Sequence, residues 1–240
     1  MSKSKFEWGT RDKTFWDWME LLIVPVMLAL GVMYLEKSQS AKQDALEASR
    51  IEEARRIEDE RHKVGILNDY RRAITELVKD SGLLSDTPDN GVVEAAEAIT
   101  GATLPQLEGA QKGALLSFLF HSKLVGHPDR PDAVVSLLNA DLTGAVLTDA
   151  NLSSARLYDA DMSGADFTNA TLFGTHFNSD TGLVDANFRG AVLLRAKGLT
   201  CEHLENTRHW DTAVRDESLA CGRPIPEDRG VHEMVVEESG

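Results

Sequence analysis

From about residue 140 to residue 199 the apolar positions recur with a period of five. Ala140, Ala145, Ala150, Ala155, Ala160, Ala165 and Ala170 hold one register, and Thr175 keeps the same place. Two residues after each stands a large apolar side chain: Leu142, Leu147, Leu152, Leu157, Met162, Phe167, Leu172 and Phe177. The position between them is small or polar, as at Asp141, Asn151, Asp161, Asp166 and Thr171. A period of five matches neither a helix at 3.6 nor a flat strand at 2. It suits a solenoid in which each side of a coil consumes five residues. Four such sides closing one square coil point the alanines and the large residues inward, and alanine must be small because both share one cross-section. Coils stacked roughly 4.8 Å apart, like neighbouring strands, make a rod of about three coils and about 15 Å. Contacts of coil on coil hold such a rod together.

The A-(D/N)-L-x-x pattern resembles the pentapeptide-repeat family, and that resemblance implies a right-handed quadrilateral β-helix. The register slips once. Phe177 to Leu183 is six residues, and Leu183, Phe188 and Leu193 then return to five. The slip predicts a bulge near 178–181, either a tolerated corner insertion or a local redirection of side chains toward a ligand. A fold of this kind names no activity by itself.

Upstream the pattern changes. Residues 15–35, FWDWMELLIVPVMLALGVMYL, form an apolar run. That run is about the 20 residues needed to cross a bilayer. Trp16 and Trp18 stand at one end and Tyr34 at the other, as an aromatic belt would place them. Asp17 and Glu20 fall in the first turn, where they favour a helix N-terminus. Pro25 and Gly31 are tolerated in spanning helices. A buried soluble helix and a cleaved signal peptide are the alternatives. Two acids and two tryptophans ahead of the apolar run suit a signal sequence poorly. Lysine and arginine counts on the two flanks tie, so charge does not orient the span.

Residues 36–63 are nearly all helix formers without Gly or Pro, with i,i+4 pairs such as Glu52/Arg56 and Asp59/Lys63. Leu46, Ile51, Ala54 and Ile57 are too sparse for a sustained heptad. This predicts a stalk helix, with weak self-association through Ile51 and Ile57. An apolar stripe then appears at Val64, Leu67, Ile74, Leu77 and Val78, with Gly82 as the stop. A turn at 86–90, a helix over 92–99, a break at 101–105 and an amphipathic helix over 110–124 follow. His121 and Arg72 have no partner constellation and are expected at the surface.

The order of apolar span, charged helix, KGALLSFLF and pentapeptides is similar to a group of bacterial membrane-anchored pentapeptide-repeat proteins. That resemblance covers most of residues 15–199 and implies no catalytic residue, cofactor or metal. The expected architecture is a polar segment (1–14), a single N-terminal transmembrane helix (15–35), a long helical stalk (36–63) and a small α-helical domain (64–126). After these come the pentapeptide-repeat solenoid (135–199), a C-terminal helical cap (200–221) and a mobile acidic tail (222–240). Thr200 is the expected N-cap of the cap helix, with Trp210 and Leu219 packing there.

The chain has 240 residues and a formal net charge of −14. That balance disfavours nucleic acid, where basic patches are expected. Cys201 and Cys221 are read as two free thiols, bridged only if the C-terminal part is extracytoplasmic. Together with His203 and His209 they match no common zinc spacing. Asp141, Asp161 and Asp166 are read as outward corner residues of the turns. No nucleophile elbow or phosphate loop is present, so no enzyme is expected. The expected function is a membrane-anchored scaffold or adaptor, an accessory subunit of a larger complex in a bacterial inner membrane. Its partners are the bilayer and a membrane protein, and its rod leans to the cytoplasmic side by analogy with related rods. The alternatives are a homo-oligomeric channel or signalling cluster, with Glu20 at its interface, and a DNA mimic that binds topoisomerase.

Overall fold

The structure is a computed structural model. It describes residues 15–126 and 134–226; within the first helix the side chains of residues 15–22, 24, 35–36, 38–41 and 45 lie outside the description. The chain divides into two compact units, Met1–Asp59 and Glu60–Gly240.

Helix α1 runs Phe15–Asp80. Its part in the first unit covers the sequence-predicted span and the predicted stalk as far as Asp59. The side chains of Trp16, Trp18 and Glu20 lie outside the described residues. Pro25 and Gly31 are exposed, and Tyr34 is 76 % exposed. Among the described residues, no helix is long and apolar enough to cross a membrane.

In the second unit α1 continues without a break to Asp80, so the stalk and the first helix of the predicted helical domain are one element. Lys63, Leu67, Tyr70 and Ile74 are its buried residues there, whereas Val64 is exposed. Gly82 adopts φ +68°, and the Leu83 N–H then reaches the Leu77 carbonyl at 3.1 Å, which ends the helix where the sequence placed its stop. Helix α2 (Asn90–Thr103) is capped by Asp89, whose carboxylate accepts from the Gly91 N–H at 2.8 Å. The expected break at 101–105 is smaller than predicted. The helix passes through Gly101 and tightens into one 3-10 turn, Leu104–Gln106, at Pro105. Helix α3 spans Gly109–His121. It stops before the predicted Leu124 because Lys123 takes a left-handed φ of 57°, and the Leu124 N–H bonds back to the Leu119 carbonyl at 3.0 Å. This is a Schellman ending, usually signalled by glycine.

The repeat builds the expected square coil. Parallel bridges join Asp141 to Asp161, Val146 to Asp166, Asn151 to Thr171 and Arg156 to His176, so one turn takes 20 residues. After the register slip the bridges Asp161–Gly182, Asp166–Asn187, Thr171–Val192 and His176–Lys197 are 21 apart. The inward alanines and large residues are buried, Ala150 and Ala196 being partly so. Phe167 and Phe188 stack in the core with centroids 5.0 Å apart.

Two expectations about the rod need correction. The corners do not fall at Asp141, Asp161 and Asp166. They fall three residues later in each repeat, where Asn139, Gly144, Asp149, Ser154, Asp159, Gly164, Asn169 and Gly174 all have φ between 55° and 69°. A turn with φ > 0 there selects Gly, Asn or Asp. Asp141, Asn151, Asp161 and Asp166 instead sit at the bridges. Each accepts from the backbone N–H two residues on, at 2.9 to 3.1 Å, and so orients the turn that follows. The pairing also does not stop at Leu199. Arg208 bridges to Asn187 and Val214 to Val192, so a fourth, irregular coil lies on the third.

Candidate functional site

The rod offers four sides, and they differ in chemistry. Bridge positions on the first carry Asp141, Asp161 and Gly182; the second, Val146, Asp166, Asn187 and Arg208; the third, Asn151, Thr171, Val192 and Val214; the fourth, Arg156, His176 and Lys197. On the second side, burial pushes the Asp166 carboxyl up, but hydrogen bonds from Thr168, Asn187 and Thr148 together hold it below the usual carboxylate range. On the fourth, burial and then the Lys197 and Arg156 charges hold the His176 imidazole below its ordinary value. Its Nδ1 lies 2.8 Å from the Tyr158 hydroxyl.

Each end of the rod is closed, and the two closures are built differently. At the N-terminal end α3 lies on the backbone of the first coil. The Val146 N–H donates to the Gly109 carbonyl at 2.8 Å. A Cβ on Gly109 would stand 2.3 Å from the Gly144 carbonyl oxygen, and one on Gly113 2.0 Å from that of Val146. Only glycine permits this approach. Lys112, 4 % exposed, donates to Asp141 at 2.9 Å and to the Thr143 carbonyl at 3.2 Å. Burial raises the Asp141 carboxyl, but the hydrogen bonds from Lys112 and Thr143 and the lysine charge leave it below its usual range. Helices and rod share a single apolar core.

At the C-terminal end α4 (Cys201–Glu205) begins at Thr200 in a capping box with His203, as the threonine predicted. Cys201 and Cys221 are disulfide-bonded, with Cα atoms 5.5 Å apart, which overturns the free-thiol reading. The fourth coil folds Cys221 back onto α4, a proximity that the spacing of 20 residues alone does not reveal. Among the described residues no cluster of His, Cys, Asp or Glu could hold a metal ion. Trp210 and Leu219 are buried as expected. Between them lies Arg215, 2 % exposed, which the sequence reading missed. Its guanidinium donates to the carbonyls of Ala213 and Leu219 at 2.9 Å and Pro224 at 3.1 Å, and stacks 5.0 Å over the Trp210 ring. The Ala213 carbonyl holds the alanine position of the ladder, so the guanidinium occupies an acceptor that a further coil would pair.

Between these two closures, at the register slip, a cleft of about 580 Å³ opens against α4. Its lining includes Phe177, Leu183 and the exposed Val184 from the rod, and Glu202, His203 and Asn206 from α4 and the residue after it. The extra residue is absorbed by a small loop. The Asn178 N–H donates to the Thr181 hydroxyl at 3.1 Å, and that hydroxyl reaches the Leu157 carbonyl in the coil beneath at 3.2 Å. His121 and Arg72 take no part: both are exposed, His121 bonding to the Ser117 carbonyl and Arg72 lying near Asp69.

Residues 136–178 match the family description "Pentapeptide repeats" in eight copies. No curated protein is significantly similar to the chain. Among solved structures it is similar to a pentapeptide repeat protein (Rfr23) from the cyanobacterium Cyanothece 51142. The identity is 27 %, over 35 % of this chain and 58 % of that one, with a TM-score of 0.14. The chain therefore carries an N-terminal helical region followed by a pentapeptide-repeat segment.

Proposed function

We propose that the protein is a membrane-anchored, non-enzymatic scaffold that presents its rod to a protein partner, as an accessory subunit of a membrane complex. The observation that carries this reading is the surface of α1 in the first unit. Ile23, Val26, Met27, Leu28, Leu30, Val32 and Met33 are each about half exposed or more, and they follow one another around the helix. A helix apolar on every side calls for lipid or other helices around it. The anchor would comprise 15–35, including the residues whose side chains are not described. The four unlike sides of the rod supply the display surface. Ordering a partner on so rigid a surface costs little entropy.

The disulfide supports an oxidising compartment for the rod, because such bridges persist outside the cytosol. This reverses the cytoplasmic lean drawn from related rods. Self-assembly is a second reading, favoured by the exposure of Leu46, Ile51 and Ile57 along α1. The test is extraction from native membranes in a mild detergent, with mass determination and identification of co-purifying chains. A second protein in fixed proportion supports the scaffold. A defined homo-oligomer with nothing else bound moves the reading to self-assembly.

A further inference from the structure

The cleft at the register slip contains an unfilled rung of the β-ladder. Elsewhere in the rod a bridge residue donates its N–H to the alanine-position carbonyl of the coil beneath and accepts from the N–H of the large residue two positions on. Gly182 does this to Ala160 and Met162, at 2.9 and 2.8 Å. On the next two sides the fourth coil repeats it. Arg208 pairs with Ala186 and Phe188 at 2.7 and 2.9 Å, and Val214 with Ala191 and Leu193 at 2.8 and 2.7 Å. Around Gly182 the equivalent pair on the upper edge is the Thr181 carbonyl and the Leu183 N–H. Neither has a hydrogen-bond partner among the described residues.

The reason lies in α4. Where a fourth-coil strand would pass over Gly182, the chain is helical over Cys201–Glu205, and its backbone bonds internally, as from the Leu204 N–H to the Thr200 carbonyl. The strand pairing resumes only at Asn206, whose carbonyl accepts from the Asp185 N–H at 2.9 Å. The rung over Gly182 is thus missing, and the cleft stands in its place. Thr181 and Leu183 are 4 % and 3 % exposed, so this donor and acceptor are buried groups of a kind that is nearly always paired.

We propose that the cleft takes a short extended peptide segment of a partner protein, which adds the missing rung over Gly182. One residue of that segment would give its N–H to the Thr181 carbonyl and accept from the Leu183 N–H. This is recognition by strand addition, with backbone pairing for affinity and side-chain pockets for specificity. Val184, exposed beside the cleft, offers an apolar contact for one side chain of the segment. Glu202, which also lines the cleft, and the chain's net charge of −14 favour a basic residue beside it. The inference deepens the scaffold reading and rests on it.

The test uses the full chain in detergent, labelled with 15N-leucine and 15N-glycine. The probe is the capped peptide Ala-Val-Lys-Val-Lys-Ala, compared with the same peptide N-methylated at every amide. The Leu183 amide is expected to exchange fast in the free protein and about ten-fold or more slower at saturating peptide, with no slowing by the N-methylated form. Glu202→Lys is expected to weaken the peptide about ten-fold. The Gly182 amide, bonded to Ala160, must stay protected throughout, which certifies that the coil is folded. A Leu183 amide already slow without peptide, unchanged by it, or slowed equally by the N-methylated form overturns the proposal. Its failure leaves a co-purifying membrane partner untouched, so the groove and the scaffold reading fall separately.

Discussion

The two ends of the rod solve one problem by opposite means. A stacked coil leaves a row of backbone donors and acceptors at each end, and such edges invite other chains to pair. At the N-terminal end the cover is a helix drawn onto the coil so closely that Gly109 and Gly113 touch its carbonyls, with a buried lysine pinned to Asp141. At the C-terminal end the cover is a remnant of the coil itself, paired on two sides, tied by Cys201–Cys221 and filled by Arg215. The first closure is made by fit and fails if the fit fails. The second is made by a covalent tie, and fits loosely enough to leave a rung open. A partner-binding feature is therefore expected at the second end and not the first.

That contrast can be broken most severely at Gly113. Gly113→Ala sets a Cβ 2.0 Å from the Val146 carbonyl, against backbone that has no room to move. A loss of about 3 kcal/mol is expected, the upper range for overpacking. Urea unfolding of the full chain in detergent checks it, and the Val146 amide should lose its protection. Reducing the disulfide, which spans a sequence separation of 20, should also cost about 3 kcal/mol on the chain-entropy estimate. Here, however, exchange should accelerate at Asp185 and Arg208 and not at Val146. If both changes loosen both ends alike, the closures are not independent.

Asp141→Asn sharpens the comparison further. It leaves buried Lys112 without its anionic partner, for an expected loss of about 2 kcal/mol. The Asp141 carboxyl is depressed in the folded state, so its contribution is present above the ordinary value near 3.9 and is lost as pH falls through the lower folded value. The variant should flatten the dependence of stability on pH below about 4, as acid titration of the circular dichroism signal would read. The smallest effect is expected at a corner. Ser154 holds φ 59° without being Gly, Asn or Asp. Ser154→Gly should stabilise the rod by about 1 kcal/mol in the same denaturation assay.

The middle of the rod was legible in the sequence and its ends were not. Leu142 to Leu193 announce themselves because each repeat places the same small and large residues at the same depth. The pattern is local and repeats. Thr200 was readable as an N-cap for the same reason, since the signal and the structure lie within one turn. Gly109, Lys112 and Arg215 carry no such local signal. Each acts on residues brought near only by the fold, and in sequence they look like an ordinary glycine and two surface cations. The register slip at 178–181 was visible, but its consequence needed α4 in place above it. The turn geometry was misassigned at Asp141 and Asp161 because Asp serves both bridge and corner positions, and composition does not separate the two.

The most direct test of the anchored, outward-facing rod is cysteine labelling in intact spheroplasts with a membrane-impermeant maleimide. The protein is expected to stay in the membrane fraction and to take no label until a membrane-impermeant reductant opens Cys201–Cys221, after which both cysteines are labelled without lysis. Labelling that needs lysis but no reductant would contradict it, as that result would put free thiols inside the cell.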